Sequence, residues 1–248
     1  MIAPERRTRA DLIAALVLAV AVVAAASVVW LRSDARGTVS VTTDAAPEPP
    51  PSATVVPSTL TEAWRAPSGA TSRPIAVGAG VVTGDGGTVT GRALDSGAEL
   101  WRYDRDIPLC GVVEDWRTAV AVYRDRRGCS QVTQLVPDSG MRGAQRSSDA
   151  DDAVTLTAAD THVISRGDTR LELWRSDLVR TLEYGRVDAP VVPGAQPRSG
   201  CTLNSAAASN SRLAVVERCP GEEADRLTLL ETTPEADSQP AEIASDRK

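Results

Sequence analysis

The chain has 248 residues, 42% hydrophobic and 24% charged, with a formal net charge of −6, one His, four Cys, no Phe and 3% aromatic residues. A single histidine excludes multi-histidine metal sites and leaves His162 as the sole base for any histidine-built triad. The acidic balance excludes an electrostatic nucleic-acid binder, so no nucleic-acid partner is expected.

The first predicted element is a transmembrane helix over residues 12–31 (LIAALVLAVAVVAAASVVWL), a run without a charge. At 1.5 Å per residue it spans roughly 30 Å, the thickness of the hydrocarbon core. Arg6, Arg7 and Arg9 precede it with Glu5 and Asp11, and Arg32, Asp34 and Arg36 follow. The arginine excess on the N-terminal side predicts a cytoplasmic segment 1–11 and an exported body. Trp30 sits where an interfacial aromatic belongs. A cleaved signal peptide is the rival, with Ala24, Ala25 and Ala26 as the cleavage site. The apolar run continues past them to Leu31, beyond a usual signal core, which favours an uncleaved anchor. No Cys lies near the segment, which argues against a lipoprotein. Residues 32–60 read as a linker. Within them 38–59, containing DAAPEPPPSATVVPS, are expected to hold the body off the bilayer as an extended tether.

From about residue 61 to 235, short β-branched runs alternate with Gly, Asp and Ser turns, which predicts antiparallel strands. The runs are 80–83, 88–94, 98–103, 111–114, 118–124, 130–136, 153–157, 162–166, 169–175, 181–184, 202–206, 212–218 and 226–231. The turn Asp95-Ser96-Gly97 recurs as Asp138-Ser139-Gly140, 43 residues on, with a weaker echo at Asp177. A period near 40 with three or four strands per unit marks propeller blades. Four units fit, near 62–103, 104–148, 150–188 and 199–235. The fold class predicted is all-β, a partial β-propeller of about four blades after one N-terminal transmembrane helix. Four blades is the low limit for a closed ring, so a truncated version of a larger propeller is expected. Residues 236–248 read as a disordered tail or truncated end. Glu99-Leu100-Trp101-Arg102 and Glu172-Leu173-Trp174-Arg175 match in letters, but they fall on different strands of their units and read as chance.

ALDSGAELWRY, preceded by VVTGDGGTVTGR, resembles the pyrroloquinoline-quinone-like (quinoprotein-like) propeller repeat, with Ala93, Asp95, Gly97 and Trp101 at its motif positions. Gly97 comes one position earlier than in the commonest version, and Asp138 and Gly140 repeat the turn. The chain also resembles an alanine- and valine-rich membrane protein family of mycobacteria and related actinobacteria. The segments PERRTRADLIAA, LCGV, AVAVYRDRRGC, GDTRLELWRSDLVR and SGCTL carry that resemblance. Members of that family run beyond 248 residues and would supply further blades. Many proteins with the quinoprotein-like repeat bind no quinone. This chain lacks the adjacent cysteines that a quinoprotein dehydrogenase would be expected to offer, so no cofactor is expected.

Four Cys allow three connectivities. The internal duplication, AVAVYRDRRGC against LAVVERC, selects Cys110–Cys129 and Cys201–Cys219 as structural disulfides. A redox dithiol or a zinc site is the alternative, without a C-x-x-C or a second His to support it. His162 reads as an ordinary strand or turn residue. Asp149, Asp151 and Asp152 read as a solvated loop between blades rather than a calcium site, since the EF-hand spacing is absent. Arg124, Asp125, Arg126 and Arg127 crowd a hairpin turn that could meet an anionic partner or polymer, although such a run is more often simply a solvated turn. Gly78, Gly80 and Gly84 do not form a dinucleotide fingerprint. No catalytic, cofactor-binding or metal residue is assigned.

The functional expectation is a non-enzymatic scaffold of the cell envelope, with a protein partner. It is held in the plasma membrane by one span, N-terminus inside. A quinoprotein-type oxidoreductase and an envelope sensor signalling through the N-terminus are the alternatives.

Overall fold

The computed structural model describes residues 8–33, 36–44, 48, 50–51 and 54–247. The N-terminal Arg6 and Arg7, and Asp34, lie outside the described residues.

Helix α1 (Arg9–Leu31) begins three residues before the charge-free run. Thr8 caps it: the Asp11 carboxylate accepts from the Thr8 backbone N–H at 2.7 Å, and the Thr8 hydroxyl accepts from the Asp11 N–H at 3.3 Å. The helix is apolar on every side and none of its residues is buried. It is long and apolar enough to cross a membrane.

Strand β1 (Thr38–Val41) follows only six residues after the helix. The first sheet continues with β2 (Ile75–Val77), β3 (Gly80–Asp85), β4 (Thr88–Ala93) and β5 (Glu99–Arg105). The second holds β6 (Leu109–Asp115), β7 (Thr118–Asp125), β8 (Gly128–Leu135) and β9 (Arg142–Ser147). The third holds β10 (Thr155–Ala159), β11 (His162–Arg166), β12 (Arg170–Trp174) and β13 (Arg180–Gly185). The fourth holds β14 (Thr202–Ala208), β15 (Arg212–Arg218), β16 (Arg226–Glu231) and β17 (Glu242–Arg247). Each sheet is an antiparallel meander of four sequential strands, and β1 adds a fifth beside β5 in the first.

These are four propeller-like blades. The inner strands β6, β10 and β14 stand next to one another, and β3 touches β6. Successive blades are joined face to face by three buried clusters. Val89, Trp101, Tyr123 and Leu135 join blades one and two. Val122, Val132, Val163 and Trp174 join two and three. Leu173, Tyr184, Leu203 and Leu213 join three and four. Strand β7 shows why the apolar runs are unbroken: Ala119, Ala121 and Tyr123 face blade one, while Val120 and Val122 face blade three. The packing runs in chain order, from blade one to two, two to three and three to four.

Two sequence expectations are corrected. The linker 32–60 is not an uninterrupted tether. Residues Thr38–Val41 pair with β5 in the register Thr38↔Arg105 to Val41↔Arg102. The alternating, β-branched TVSV satisfies the open edge of β5. The proline-rich stretch therefore connects the outermost strand of blade one to its innermost; residues 45–47, 49, 52 and 53 of it lie outside the described residues. Likewise residues 242–247 are not a disordered tail. They complete blade four by pairing with β16 from Arg226↔Arg247 to Leu230↔Glu242. Backbone pairing drives this strand, since five of its six side chains are exposed.

The chain crosses each blade in the same sense, which sorts its turns onto two ends. One end carries the β3–β4, β7–β8, β11–β12 and β15–β16 turns and the connections between blades. Helix α1 joins the body at this end, where the Asp106 N–H donates to Gly37 O at 2.9 Å. The opposite end carries the β4–β5 and β8–β9 turns that hold the two Asp-Ser-Gly sequences.

Candidate interaction surface

The repeated turn is built around a tryptophan. Ala93 ends β4, and the turn that follows places Gly97 at φ +69° under the ring of Trp64. In the next blade Gly140, at φ +72°, lies under Trp101 from β5. An added Cβ would stand 2.5 Å from Trp64 Cδ2 at the first site and 2.7 Å from Trp101 Cδ2 at the second, so glycine is needed for conformation and for space. Each indole also donates to the carbonyl just before the Asp: Trp64 Nε1 to Leu94 O at 2.8 Å, and Trp101 Nε1 to Pro137 O at 2.6 Å. Asp95 and Asp138 thus occupy equivalent turns of adjacent blades, and Asp177 occupies the corresponding β12–β13 turn of the third. Trp64 was not singled out in the sequence. The signal is the match of Glu62-Ala63-Trp64-Arg65 to Glu99-Leu100-Trp101-Arg102, and both segments close the same Glu–Arg ion pair three residues apart. The other letter match is local chance: Trp101 is on the fourth strand of its meander and Trp174 on the third, and Trp174 Nε1 donates to Glu172 instead.

Both cysteine pairs are joined, Cys110–Cys129 and Cys201–Cys219, each within one blade. A bulge at Cys110, between Leu109 and Gly111, turns its side chain past the end of β7 toward Cys129 at the start of β8. Cys201 and Cys219 instead flank the β14–β15 hairpin. The two loops enclose 19 and 18 residues of separation. In the chain-entropy picture each bridge stabilises the fold by about 3 kcal/mol. The denatured, unreduced protein is expected to release no titratable thiol. Reduction is expected to shift its urea midpoint downward.

Buried charge locks blades two, three and four together. Arg170 donates to Glu172 at 2.9 Å and to Glu183 at 2.8 Å, and all three side chains are almost fully buried. Arg146 of blade two reaches Glu172 at 3.1 Å and lies over the Trp174 ring. Arg180 reaches Glu183 and, in blade four, Asp237. A second knot centres on Glu217, which is completely buried and accepts from Tyr184 Oη, Arg198 Nε and Thr228 Oγ1. The Asp149–Asp152 loop differs from its reading as a solvated one. Asp151 accepts from the Thr169 N–H and hydroxyl and the Arg170 N–H, and Arg186 spans Asp149, Asp151 and Asp188. Burial pushes the Asp151 carboxyl up, but these donors outweigh it and hold it below the usual range.

His162 opens β11, is buried, and its Nδ1 lies 3.0 Å from Thr161 Oγ1. Burial pushes its ring below the ordinary histidine value, against the pull of Asp160. Gly78 and Gly80 flank the β2–β3 turn and Gly84 lies within β3. Among the described residues no cluster of three His, Cys, Asp or Glu side chains could hold a metal ion.

A groove of about 570 Å³ lies between blades one and two. Its walls are two outer edge strands, β1 with Thr38 and Ser40, and β9 with Arg142, Gln145 and Ser147. Its floor is Tyr103 and Thr133. The groove lies between facing outer strands of the two blades, and its polar side chains can hydrogen-bond an extended peptide. A second concavity of about 360 Å³ lies along the inner strands, lined by Ile75, Val112 and Leu156.

No family model matches the chain, and no curated protein matches it. Among solved structures it aligns with BamB from Moraxella catarrhalis at 12% identity, over 70% of this chain and 47% of that one, with a TM-score of 0.42. It aligns with Hsv2 from Kluyveromyces lactis at 10% identity, over 73% and 62%, with a TM-score of 0.46. The Neurospora crassa Pan2 WD40 domain aligns at 8% identity, over 71% and 51%, with a TM-score of 0.43. The chain spans about half the length of the BamB and Pan2 WD40 domain chains that it matches. These are distant likenesses, and the four-blade description stands on strand order and packing.

Proposed function

We propose that the chain is a membrane-anchored, extracytoplasmic scaffold that binds an extended segment of an envelope protein and catalyses no reaction. The observation that carries this reading is the groove between β1 and β9, lined by polar side chains of two outermost strands on a body tied directly to an apolar helix. The two disulfides support export, because such bridges persist outside the reducing cytoplasm. Export of the body in turn puts the N-terminus inside, as the flanking arginines predict. The paired tryptophan–glycine contacts of the first two blades favour kinship with the quinoprotein-like repeat.

Photo-crosslinking in native membranes tests the reading. A crosslinker at Gln145, in the groove, is expected to capture a discrete protein partner, and one at Asp177, on a turn of blade three, to capture none. Equal capture from both positions would refute the groove as the binding site. Turnover on titration with quinone and calcium would replace this reading with the oxidoreductase.

A further inference from the structure

We infer that the end of the body where α1 joins rests on the bilayer, and that Arg124, Arg126 and Arg127 of the β7–β8 turn contact anionic lipid headgroups. The inference rests on the anchored reading of α1 proposed above.

The first argument is length. Six residues separate Leu31 from Thr38. Fully extended they reach at most roughly 20 Å, and Thr38–Val41 is hydrogen-bonded into blade one. The proline-rich stretch lies after that strand, so it adds nothing to the reach. The link therefore keeps the anchored end of the body within roughly 20 Å of the helix end.

The second argument is position. Gly37 O accepts from the Asp106 N–H at 2.9 Å, and two residues further Pro108 O accepts from the Arg124 N–H at 2.8 Å. The arginine turn is thus next to the point where the anchor joins, and on the same end of the blades. The chemistry fits phosphate. Arg124, Arg126 and Arg127 are exposed, and among the described residues Arg124 and Arg126 have no carboxylate partner. Asp125, inside the turn, is engaged by Ser130, Gln131 and Arg127. Arg32 and Arg36 flank the helix end, with Arg36 over the Trp30 ring at 5.5 Å. Asp85, Asp106 and Asp152 lie beside this turn, and Asp168, Asp188, Glu222, Glu223 and Asp225 lie on the same end at blades three and four, further from the anchor; the short side chains of the three nearest reach less far than the guanidiniums, which bind phosphate in a two-pronged fashion. The alternative occupant of this end is a protein.

The test uses the full chain reconstituted in vesicles of phosphatidylcholine alone or of equal parts phosphatidylcholine and phosphatidylglycerol. A fluorophore is carried by an unnatural amino acid at Asp85, on the anchor end, or at Ser96, on the opposite end. Strands of six or seven residues set these ends about 20 Å apart. Energy transfer to a headgroup-labelled lipid is expected to be about twofold or more stronger from position 85 than from 96 on that spacing. Phosphatidylglycerol is expected to strengthen the transfer from 85, and the combined R124Q, R126Q and R127Q variant to abolish that gain. Equal transfer from the two positions, or a gain unchanged by the triple variant, overturns the inference. Flotation separates the two levels: protein that fails to float with the vesicles overturns the anchor reading as well, whereas protein that floats with equal transfer overturns only the docking.

Discussion

Trp101→Ala is expected to lower the stability of the detergent-solubilised chain by about 3–5 kcal/mol, the cost of removing a fully buried large aromatic side chain. The indole is completely buried between blades one and two, shields Gly140, and gives its only N–H to Pro137 O. Trp101→Phe keeps most of the ring and loses the hydrogen bond, so about 1–3 kcal/mol is expected, because the Pro137 carbonyl is left buried without that donor. Gly140→Ala attacks the same contact from the other side. Its backbone stays at positive φ and its methyl meets the ring at under 3 Å, so a loss comparable to that of Trp101→Ala is expected. Urea unfolding followed by tryptophan fluorescence and by far-ultraviolet dichroism checks the order. A Gly140→Ala chain as stable as wild type would show that the turn is not held by the ring.

Glu172→Ala is the second large effect, about 3–5 kcal/mol, because Arg146 and Arg170 lose their shared carboxylate inside the protein. The double change of Glu172 and Arg170 to Met is expected to cost less than the sum of the single changes, since it removes the stranded charge along with its partner. The same site predicts an acid sensitivity. Burial pushes the Glu172 carboxyl up, but Arg146, Arg170 and the Trp174 indole outweigh it and hold it below the usual carboxylate range. A folded value below the unfolded one stabilises the protein above the unfolded value. That stability is lost as pH falls through the folded value. The urea midpoint of wild type should therefore fall below about pH 4, where unfolded carboxylates titrate, and fall less in the Glu172, Arg170 double-Met chain. An identical fall in both would remove Glu172 as the source.

Several of the strands that the sequence bounds most closely have two neighbours. Strand β7 buries both faces and reads as an unbroken apolar run; β11 and β15 are likewise flanked on both sides, and their bounds match the predicted ones. The strands that the sequence conceals are β1, β2, β9 and β17, all at sheet edges. RGAQRS and EIASDR carry no apolar alternation because only their backbones are needed, and one face or edge meets water. The groove was invisible for the same reason, being walled by two such edges. The ion pairs were invisible because their partners are remote in sequence: Arg180 meets Asp237 across 57 positions and Arg186 meets Asp149 across 37. The cysteine pairs and the Asp-Ser-Gly turns were legible because each is closed by residues near in sequence or repeated at the blade period.

The docking of β1 also makes the distance between body and membrane a two-valued quantity. A load pulling the body from the bilayer passes first through the four-residue ladder between β1 and β5. While that ladder holds, the leash is six residues. Once it gives way, the chain from Thr38 to Ala63 joins the leash, as far as Trp64, which stays bonded to Leu94 O, and lengthens it by roughly 85 Å at full extension, with the other four strands of blade one and the three blades beyond it left paired. The proline-rich stretch is then reserve rope, paid out only under tension.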